Sequence, residues 1–343
     1  MAQKFNGQTL TFQNPPHIIS HGSVVGPEEK KGPLGKNFDL TYEDAKCGEK
    51  TWEKGEKKMV SDSVNLALQK ANLTTSDIDI ILGGDLLNQL ITANFVARDY
   101  DVPYLGLYGA CSTMVQALGL GAALIDGSYA DCVLGYCSSH YQTAERQYRN
   151  PLEYGVQYPP YKQWTVTGAG SYILGRVGGS TWITHATFGK VMDLGQKDAN
   201  DMGGAMAPAA ADTLIQHFKD LNRGPQDYDL ILTGDLGRTG RKILDSLLVE
   251  KNINLGEKLQ DCGAMLLTDE KKYGSGGSGC AASAVVVGSV IIPKIINADI
   301  NRIIIIGTGA LLSSLTVKQG ESIPSVAHAV VIEKIPGGEN NNG

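Results

Sequence analysis

The sequence predicts an α/β protein that is built from two similar halves, each with the order β-α-β-α-β. An eleven-residue stretch occurs twice, 150 positions apart, as Ser76 to Leu86 and Gln226 to Leu236, and seven of its eleven positions are identical. Both copies have the pattern of a buried strand followed by a Gly-Asp turn, so the repeat concerns architecture as well as composition. Strands that are apolar on both faces and alternate with helices predict two largely parallel sheets, covered by helices on each side.

The elements before and after the repeated strand also correspond. An alternating strand opens each half, at Ile19 to Val25 and at Ile183 to Gly189, and a helix follows, at Ser61 to Ala71 and at Ala205 to Leu221. After the repeated strand and a further helix, each half has a cysteine turn, an apolar helix and a continuous apolar strand. These last elements are Tyr108-Gly-Ala-Cys-Ser, Thr113 to Ile125 and Cys132 to Tyr136 in the first half, and Gly279-Cys-Ala-Ala-Ser, Ala284 to Ile292 and Ile303 to Ile306 in the second.

The repeat divides the chain into a first half over residues 1–180 and a second half over residues 181–336. Residues 337–343 have nothing apolar to bury and are predicted to be a disordered tail. Residues 146–167 carry four tyrosines, one tryptophan and three prolines, which is too long and irregular for a simple connection. We interpret them as a functional or interface insertion in the first half.

Composition excludes several classes of function. The net charge of −6 and the lack of a long basic run argue against nucleic acid as a partner. The longest apolar runs are too short to span a bilayer, and the polar N-terminus does not have the pattern of a signal peptide. The six cysteines show no C-x-x-C pair and no histidine at ligand spacing, so we expect neither a metal site nor disulfides.

Cys111 is the first candidate for chemistry. It lies in a tight turn at the start of a buried helix, where unpaired N–H groups and the helix dipole favour a thiolate or a bound anion. Ser112 and Thr113 would expose such N–H groups at the helix start. The alternative is that Cys111 only fills space between the halves, as we expect of Cys280.

The turn Tyr108-Gly-Ala-Cys-Ser-Thr-Met resembles the nucleophile turn of ketoacyl synthase III, in the thiolase superfamily. This resemblance covers nearly the whole chain and implies a five-layered α-β-α-β-α sandwich with an acylated cysteine. In that family His and Asn, or two His, complete the catalytic site. Here the corresponding segments are Gly234-Asp-Leu-Gly237 and Gly274 to Cys280, which contain neither residue. A site without these oxyanion donors would lose at least about a hundredfold in rate, which favours a binding protein over a condensing enzyme.

Within the superfamily the chain is similar to the stage V sporulation protein AD family. The segments that carry this similarity are Gly84-Asp-Leu-Leu-Asn-Gln, Leu107-Tyr-Gly-Ala-Cys-Ser-Thr and Cys137-Ser-Ser-His-Tyr. The resemblance implies a non-catalytic protein without a cofactor that binds dipicolinic acid, pyridine-2,6-dicarboxylate. It also implies a role in uptake of this ligand, with calcium, into the developing spore together with membrane proteins of the same system. The protein would be soluble or peripheral on the spore inner membrane, and a homodimer.

A planar dianion needs several converging N–H or cationic donors and a flat apolar slot. The Gly-rich turn Ser275 to Gly279 could offer a second group of backbone donors opposite Cys111. Asp85 and Asp235 either face the ligand or cap the turns that follow their strands. Arg149 and Lys162 are, with Arg146, the cations nearest in sequence to the His140 loop, and each is either a carboxylate partner or solvated surface. The predicted ligand-binding residues are Asp85, Asn88, Cys111, Ser112, Ser139, His140, Arg146, Asp235 and Ser278.

Two other functions stay open at this point. One is an acyl transferase that uses Cys111 as nucleophile, with His140 as an unconventional base. The other is a scaffold with a vestigial pocket, whose role is assembly with partners.

Overall fold

Five layers make up the fold: two mixed β-sheets, one helical layer between them and one helical layer outside each. The computed structural model describes residues 4–149 and 159–334. Part of the predicted insertion, residues 150–158, and the predicted tail lie outside the described residues. The proposed boundary at residue 180 falls in the connection between the last strand of the first sheet and the first strand of the second.

Both sheets have the same strand order, which is 3-2-4-5-1 when the strands of each half are numbered separately. The first sheet is β5-β4-β6-β8-β2 and the second is β11-β10-β13-β14-β9. Short strands β1 and β3 pair with β9 and β2, and β7 and β12 form a separate two-stranded ladder. The strands are β1 (Thr9–Thr11), β2 (His17–Val25), β3 (Leu40–Thr41), β4 (Ile80–Gly84), β5 (Tyr104–Gly106), β6 (Cys132–Ser139), β7 (Trp164–Thr165), β8 (Gly168–Gly175), β9 (Trp182–Phe188), β10 (Leu230–Thr233), β11 (Leu259–Asp261), β12 (Gly277–Ser278), β13 (Arg302–Ala310) and β14 (Ser325–Glu333).

The helices connect and cover these strands. α2 packs on the outside of the first sheet, α6 packs on the outside of the second, and α4 and α10 lie between the sheets. A π-helical segment, Val287–Ile291, continues α10 into α11. The helices are α1 (Pro27–Lys31), α2 (Trp52–Ala71), α3 (Ile91–Ala97), α4 (Thr113–Asp126), α5 (Tyr141–Tyr148), α6 (Met202–Leu221), α7 (Gly237–Val249), α8 (Cys262–Leu266), α9 (Glu270–Tyr273), α10 (Cys280–Val286), α11 (Ile292–Ile296) and α12 (Ser314–Lys318).

The internal repeat extends to individual hydrogen bonds. Each copy of the repeated strand is preceded by a 3-10 turn, at Thr75–Asp77 and at Pro225–Asp227. An aspartate at the start of each strand then binds two backbone N–H groups of the neighbouring strand. Asp79 accepts them from Asp131 and Cys132, at 2.7 and 2.9 Å. Asp229 accepts them from Asn301 and Arg302, at 2.7 and 3.0 Å.

The expectation of two separate, largely parallel sheets needs correction. In each half the first three strands of the order 3-2-4-5-1 pair in parallel, whereas strand 5 is antiparallel to both of its neighbours. These fifth strands, β8 and β14, are fully buried and carry no repeat that the sequence pattern reveals. The two sheets also touch through a single residue pair, His17 with Trp182, which makes the ladder continuous.

The central helices are buried on almost every side. Residues of α4 and α10 contribute to the largest apolar cluster, together with apolar residues of both sheets. Small residues permit this close packing: a methyl group at Gly307 would lie within 3.0 Å of the Val115 side chain. Since α4 begins immediately after the turn that contains Cys111, its position fixes that turn at the interface between the halves. Among the described helices, none is both long and apolar enough to cross a bilayer.

Candidate binding site at the interface between the halves

A cavity of about 350 Å³ lies at the interface between the two halves, next to the Cys111 turn. Its volume falls in the range of small-molecule sites. One wall comes from the turn after β4, the Cys111 turn and the end of α5, and the opposite wall from the start of α6 and residues 310–314. Residues that line it include Asn88, Tyr108, Cys111, Tyr148, Arg149 and Ser278.

Of the nine predicted ligand-binding residues, three line this cavity: Asn88, Cys111 and Ser278. Asn88 is exposed in the turn after β4, and Ser278 belongs to the short strand β12, which pairs with β7. The other six lie nearby or behind the wall, and are Asp85, Ser112, Ser139, His140, Arg146 and Asp235.

Two backbone donors of the Cys111 turn are bonded within the turn, which differs from the prediction. Residues Ala110–Ser112 form a 3-10 turn, and Ala110 has a φ of 50°. The Ser112 N–H and hydroxyl donate to the Gly109 carbonyl, at 3.1 and 2.7 Å. The Thr113 N–H and hydroxyl donate to the carbonyl of Ala110. The N–H groups of Ser112 and Thr113 are therefore occupied, because the tight turn closes its own hydrogen bonds before α4 begins.

The surroundings of Cys111 favour the neutral thiol. Burial raises the pKa of Cys111 well above its ordinary value, and the neighbouring carboxylate of Asp235 raises it further. The Ser278 hydroxyl and the Gly279 N–H oppose this rise only in part. An activated cysteine nucleophile typically has a lowered pKa instead.

Asp235 is a buried carboxylate that ties three segments of the second half together. One oxygen accepts the Ser278 hydroxyl at 3.1 Å and the Gly279 N–H at 2.8 Å, and the other accepts the Thr308 hydroxyl at 3.1 Å. Burial raises its pKa to about 6 despite these hydrogen bonds. The carboxylate therefore stands behind the Cys111 and Ser278 wall of the cavity.

Asp85, the equivalent residue in the first half, has a different set of partners. Its two oxygens accept the backbone N–H groups of Leu87 and Ala93, each at 2.7 Å. The carboxylate thus joins the turn after β4 to the first turn of α3. Burial raises its pKa to about 6. Asp85 holds the turn that carries Asn88 and has no surface in the cavity.

The Gly-rich turn also uses its donors within the fold, in contrast to the predicted anion-binding role. The Ser275 N–H donates to the Lys162 carbonyl at 2.9 Å, and the Gly276 N–H donates to Tyr273 at 3.1 Å. The Gly279 N–H is bound to Asp235. The turn needs its glycines because Gly276 and Gly279 have φ values of 117° and 104°.

Ser139 and His140 point away from the cavity. The Ser139 hydroxyl donates to the Val166 carbonyl at 2.6 Å, and His140 Nε2 lies 2.6 Å from the Ala45 carbonyl oxygen. Burial lowers the pKa of His140 to about 4. The ring is therefore neutral at pH 7 and directed to a loop of the first half, which leaves no contact with Cys111.

Arg149, rather than Arg146, places a cation at the cavity. Arg146 is on the outside, with a side chain 52% exposed that pairs with Glu53 and lies over the Trp52 ring. The side chain of Arg149 is 7% exposed. Its Nη2 lies 2.9 Å from a carboxylate oxygen of Glu145, as an ion pair, and donates to the Thr165 hydroxyl at 2.7 Å.

The remaining donors of Arg149 have no acceptor among the residues that the structure describes. Both Nε and Nη1 are buried without a hydrogen-bond partner in residues 4–149 and 159–334. A buried guanidinium with unsatisfied N–H groups is costly unless a ligand or water completes it. Arg149 is one of the residues that line the cavity, so its guanidinium lies beside the space in which an acceptor could bind.

Two tyrosines beside Arg149 were not predicted from the sequence. The Tyr148 hydroxyl donates to the Leu86 carbonyl at 2.5 Å, which leaves the Tyr108 hydroxyl to donate to Tyr148 at 3.0 Å. Both rings line the cavity and supply flat apolar surface. The only sign of them in the sequence was the aromatic content of the insertion and of the cysteine turn. It could not indicate which rings would meet.

No histidine is available to Cys111 among the described residues that line the cavity. All six histidines lie within the described part of the chain, and none of them lines the cavity. The described residues also contain no cluster of three or more histidine, cysteine or acidic side chains that could hold a metal ion.

Solved structures with the same architecture define the class of protein. The chain is similar to 3-oxoacyl-[acyl-carrier-protein] synthase III from Aquifex aeolicus VF5, with 17% identity and a TM-score of 0.56 over 93% of this chain and 99% of that one. It is also similar to the tetronic acid condensing enzyme AbyA1, with 18% identity and a TM-score of 0.56 over the same shares. The fold is therefore that of a thiolase-like protein of the ketosynthase III type.

Sequence comparison then gives the particular family. The family model for stage V sporulation protein AD matches residues 6–333. The stage V sporulation protein AD of Bacillus subtilis (strain 168) is 50% identical over 330 residues, which are 96% of this chain and 98% of that protein. The chain belongs to the stage V sporulation protein AD family, as its motifs predicted.

Proposed function

We propose that this sporulation protein is a non-catalytic binding protein for dipicolinic acid, and that the ligand occupies the cavity beside Arg149. The observation that carries the proposal is the buried guanidinium at the cavity, in which two nitrogens have no acceptor among the described residues. A carboxylate would complete these donors in a charge-assisted contact. The rings of Tyr108 and Tyr148 would hold the flat pyridine ring.

Other lining residues suit the rest of such a ligand. The Ser278 hydroxyl and the Asn88 amide offer neutral donors at the cavity, where they could bind the second carboxylate. The Cys111 thiol, held neutral by burial and by Asp235, is compatible with an anion because it adds no charge. In this proposal Asp85, Ser112, Ser139 and Asp235 support the wall rather than contact the ligand.

Calorimetric titration with dipicolinate tests the proposal. We expect one site per chain, and at least a tenfold loss of affinity in Arg149→Gln, because charge-assisted hydrogen bonds contribute about 1.5–3 kcal/mol. Arg146→Gln is the matched control, since it removes an exposed arginine of α5 that is three residues before Arg149 and does not line the cavity. Repeating the titration with calcium determines whether the metal is bound with the ligand.

Two results would contradict the proposed site. The first is the absence of heat with dipicolinate, or equal heat with pyridine-3,5-dicarboxylate, whose carboxylates diverge from the ring nitrogen. The second is equal loss of affinity in Arg146→Gln and Arg149→Gln, which would place the ligand elsewhere or indicate general screening of charge.

The wider role is part of the same proposal. We propose that the bound ligand, with calcium, is passed to membrane proteins of the same sporulation system during uptake into the spore, with this chain peripheral on the inner membrane. A scaffold with a vestigial pocket is the competing role. Normal spore loading in an Arg149→Gln strain would favour the scaffold, whereas loss of loading with normal recruitment of partners would favour the ligand carrier.

An acyl transferase is the alternative activity, and it is favoured by one observation: Cys111 lines the cavity at the start of α4. The same cavity has no histidine among its lining residues, and the pKa of Cys111 is raised rather than lowered. A mass gain on Cys111 after incubation with acyl thioesters, lost in Cys111→Ala, would establish this activity instead.

A further inference from the structure

A short two-stranded ladder joins the two halves of the chain beside the cavity. Strand β7 belongs to the first half and β12 to the second, and they pair in parallel with Thr165 opposite Ser278. The Trp164 N–H donates to the Gly276 carbonyl at 2.8 Å. The Val166 N–H donates to the Ser278 carbonyl, also at 2.8 Å. Since Thr165 and Ser278 both line the cavity, the ladder fixes the spacing of two lining residues from different halves.

This residue pair relates the two groups that would bind the carboxylates of the proposed ligand. The Thr165 hydroxyl accepts a hydrogen bond from Arg149 Nη2 at 2.7 Å, which helps to hold the guanidinium at the cavity. Ser278 offers its hydroxyl for the second carboxylate. Paired strands lie about 4.8 Å apart, so the spacing between the two anion-binding groups is set by backbone pairing.

The Ser278 hydroxyl has one proton, which it donates to Asp235 at 3.1 Å. A ligand carboxylate would compete for this proton. Asp235 would then keep two other donors, the Gly279 N–H at 2.8 Å and the Thr308 hydroxyl at 3.1 Å. The Ser278 hydroxyl is therefore able to turn to a ligand without leaving a buried carboxylate unsatisfied.

Gln163 ties the ladder to the second half. It immediately precedes β7 and is only 1% exposed. Its Nε2 donates to the carbonyl of Asp235 at 2.6 Å and to the carbonyl of Gly277 at 3.1 Å. Gly277 is the neighbour of Ser278 in β12, and Asp235 is the residue whose carboxylate accepts the Ser278 hydroxyl. One amide from the first half thus holds both segments that position Ser278, although Gln163 does not line the cavity.

We propose that Gln163 is a positioning residue that makes the cavity selective for a ligand with two carboxylates. By bonding β12 and the Asp235 turn to the start of β7, its amide keeps the Ser278 hydroxyl at a fixed distance from the Arg149 guanidinium. Without the amide, the second carboxylate would lose a partner. The first would keep Arg149, because the ion pair with Glu145 does not depend on the ladder. This inference rests on the proposed binding of dipicolinate beside Arg149.

The test compares two ligands that differ by one carboxylate. Dipicolinate is titrated calorimetrically into the intact protein, and picolinate, pyridine-2-carboxylate, is measured by competition against it. We expect the wild-type protein to bind dipicolinate at least about tenfold more tightly than picolinate, since the second carboxylate adds hydrogen bonds. In Gln163→Met the dipicolinate affinity should fall about fivefold, with less than about a twofold change for picolinate.

Further variants separate positioning from a merely structural role. Ser278→Ala removes the hydroxyl that Gln163 positions, so the double variant should lose little more dipicolinate affinity than Ser278→Ala alone. Gln163→Asn keeps an amide that is too short to reach both carbonyls, and it should give the same selective loss if Gln163→Met does not fold. Gln142→Met is the control and should leave both affinities unchanged. Gln142 lies on α5 outside the cavity lining and, like Gln163, has a buried Oε1 without a partner among the described residues.

The outcomes separate this inference from the proposed function. No dipicolinate binding by the wild-type protein, or unchanged binding in Arg149→Gln, would remove both. Equal losses for the two ligands in the Gln163 variants would indicate general loosening of the fold and overturn the inference alone. Unchanged dipicolinate affinity in these variants, additive losses in the double variant with Ser278→Ala, or equal wild-type affinities for the two ligands would overturn it as well.

Discussion

At the scale of single residues, one type of side chain takes different roles in equivalent positions. Asp85 binds the backbone of its own turn and helix, whereas Asp235 binds Ser278, Gly279 and Thr308, which belong to other segments. The sequence aligned these two aspartates through the repeat. It could not give the partners of Asp235, because they lie 43, 44 and 73 residues further along the chain.

The carboxylate of Asp235 should slow the alkylation of the Cys111 thiol. Asp235→Asn removes the negative charge beside the thiol, so the pKa of Cys111 should fall and its alkylation by iodoacetamide at pH 8 should accelerate. One unit in pKa corresponds to about a tenfold higher thiolate fraction. Peptide mass spectrometry over time gives the rate for Cys111 separately from the other cysteines.

Asp85→Asn is the matched control for this measurement. It makes the same substitution at the other copy of the repeat, where the carboxylate binds the first turn of α3 and is not among the main causes of the raised pKa of Cys111. Equal acceleration in both variants would indicate loosening of the fold rather than an electrostatic effect.

At the scale of elements, α2 shows how the outer helices are attached to the sheets. Hydroxyls of two strands donate to carbonyls of this helix: Ser20 to Ala67 at 2.7 Å and Ser171 to Ser63 at 2.6 Å. Gly22 in β2 also faces this helix. It has no room for a side chain, because a methyl group would collide with the Ser63 carbonyl oxygen. The backbone of β2 therefore touches the backbone of α2 directly.

We expect Gly22→Ala to lower the free energy of unfolding by about 2 kcal/mol or more, since overpacking of this kind typically costs 1–3 kcal/mol. Gly135→Ala in β6 is the control. There the nearest atom to an added methyl group is the Ala117 Cβ at 3.5 Å, an ordinary contact. Urea unfolding of both variants measures the difference, and equal stability would show that α2 can move away from the sheet.

The elements that sequence patterns predicted best are those with a repeated partner. The repeated strand, the apolar helix that begins at Thr113 and the strand that begins at Cys132 are all present with nearly the predicted bounds. Strands β8 and β14 were missed because they share no turn signal. β8 lies next to the insertion, and β14 lies near the end of the chain.

The site was predicted less well than the fold. Arg149 meets Tyr108 and Tyr148 only through tertiary packing, although Glu145 and Arg149 have the i,i+4 spacing of a helical ion pair.

At the scale of the whole molecule, the first sheet ends at β5, which pairs only with β4 among the described strands. β5 is the last strand in the order, and Leu105 within it is 48% exposed. Phe95 of the adjacent α3 is also 48% exposed. Natural proteins seldom leave an apolar sheet edge uncovered. We therefore propose a homodimer in which β5 of two chains lie side by side, as the family resemblance implies.

Light scattering at a series of concentrations tests the dimer. We expect the wild-type protein to have twice the mass of the chain, and Leu105→Lys to dissociate at concentrations at least about tenfold higher, because two lysines would then face each other at the edge. Val249→Lys is the control, since Val249 is an equally exposed apolar residue on α7. A wild-type monomer, or a Leu105→Lys dimer of unchanged stability, would contradict the proposed edge.

The single residue pair that links the two sheets has a consequence for evolution. In the described chain, His17 and Trp182 form the only residue pair that joins a strand of one main sheet to a strand of the other. Each half therefore keeps its own complete set of strand neighbours. A substitution in one sheet therefore alters few hydrogen bonds in the other. Strand pairing thus leaves each half free to diverge, whereas the shared core around α4 and α10 and the cavity between the halves require their packing surfaces to change together.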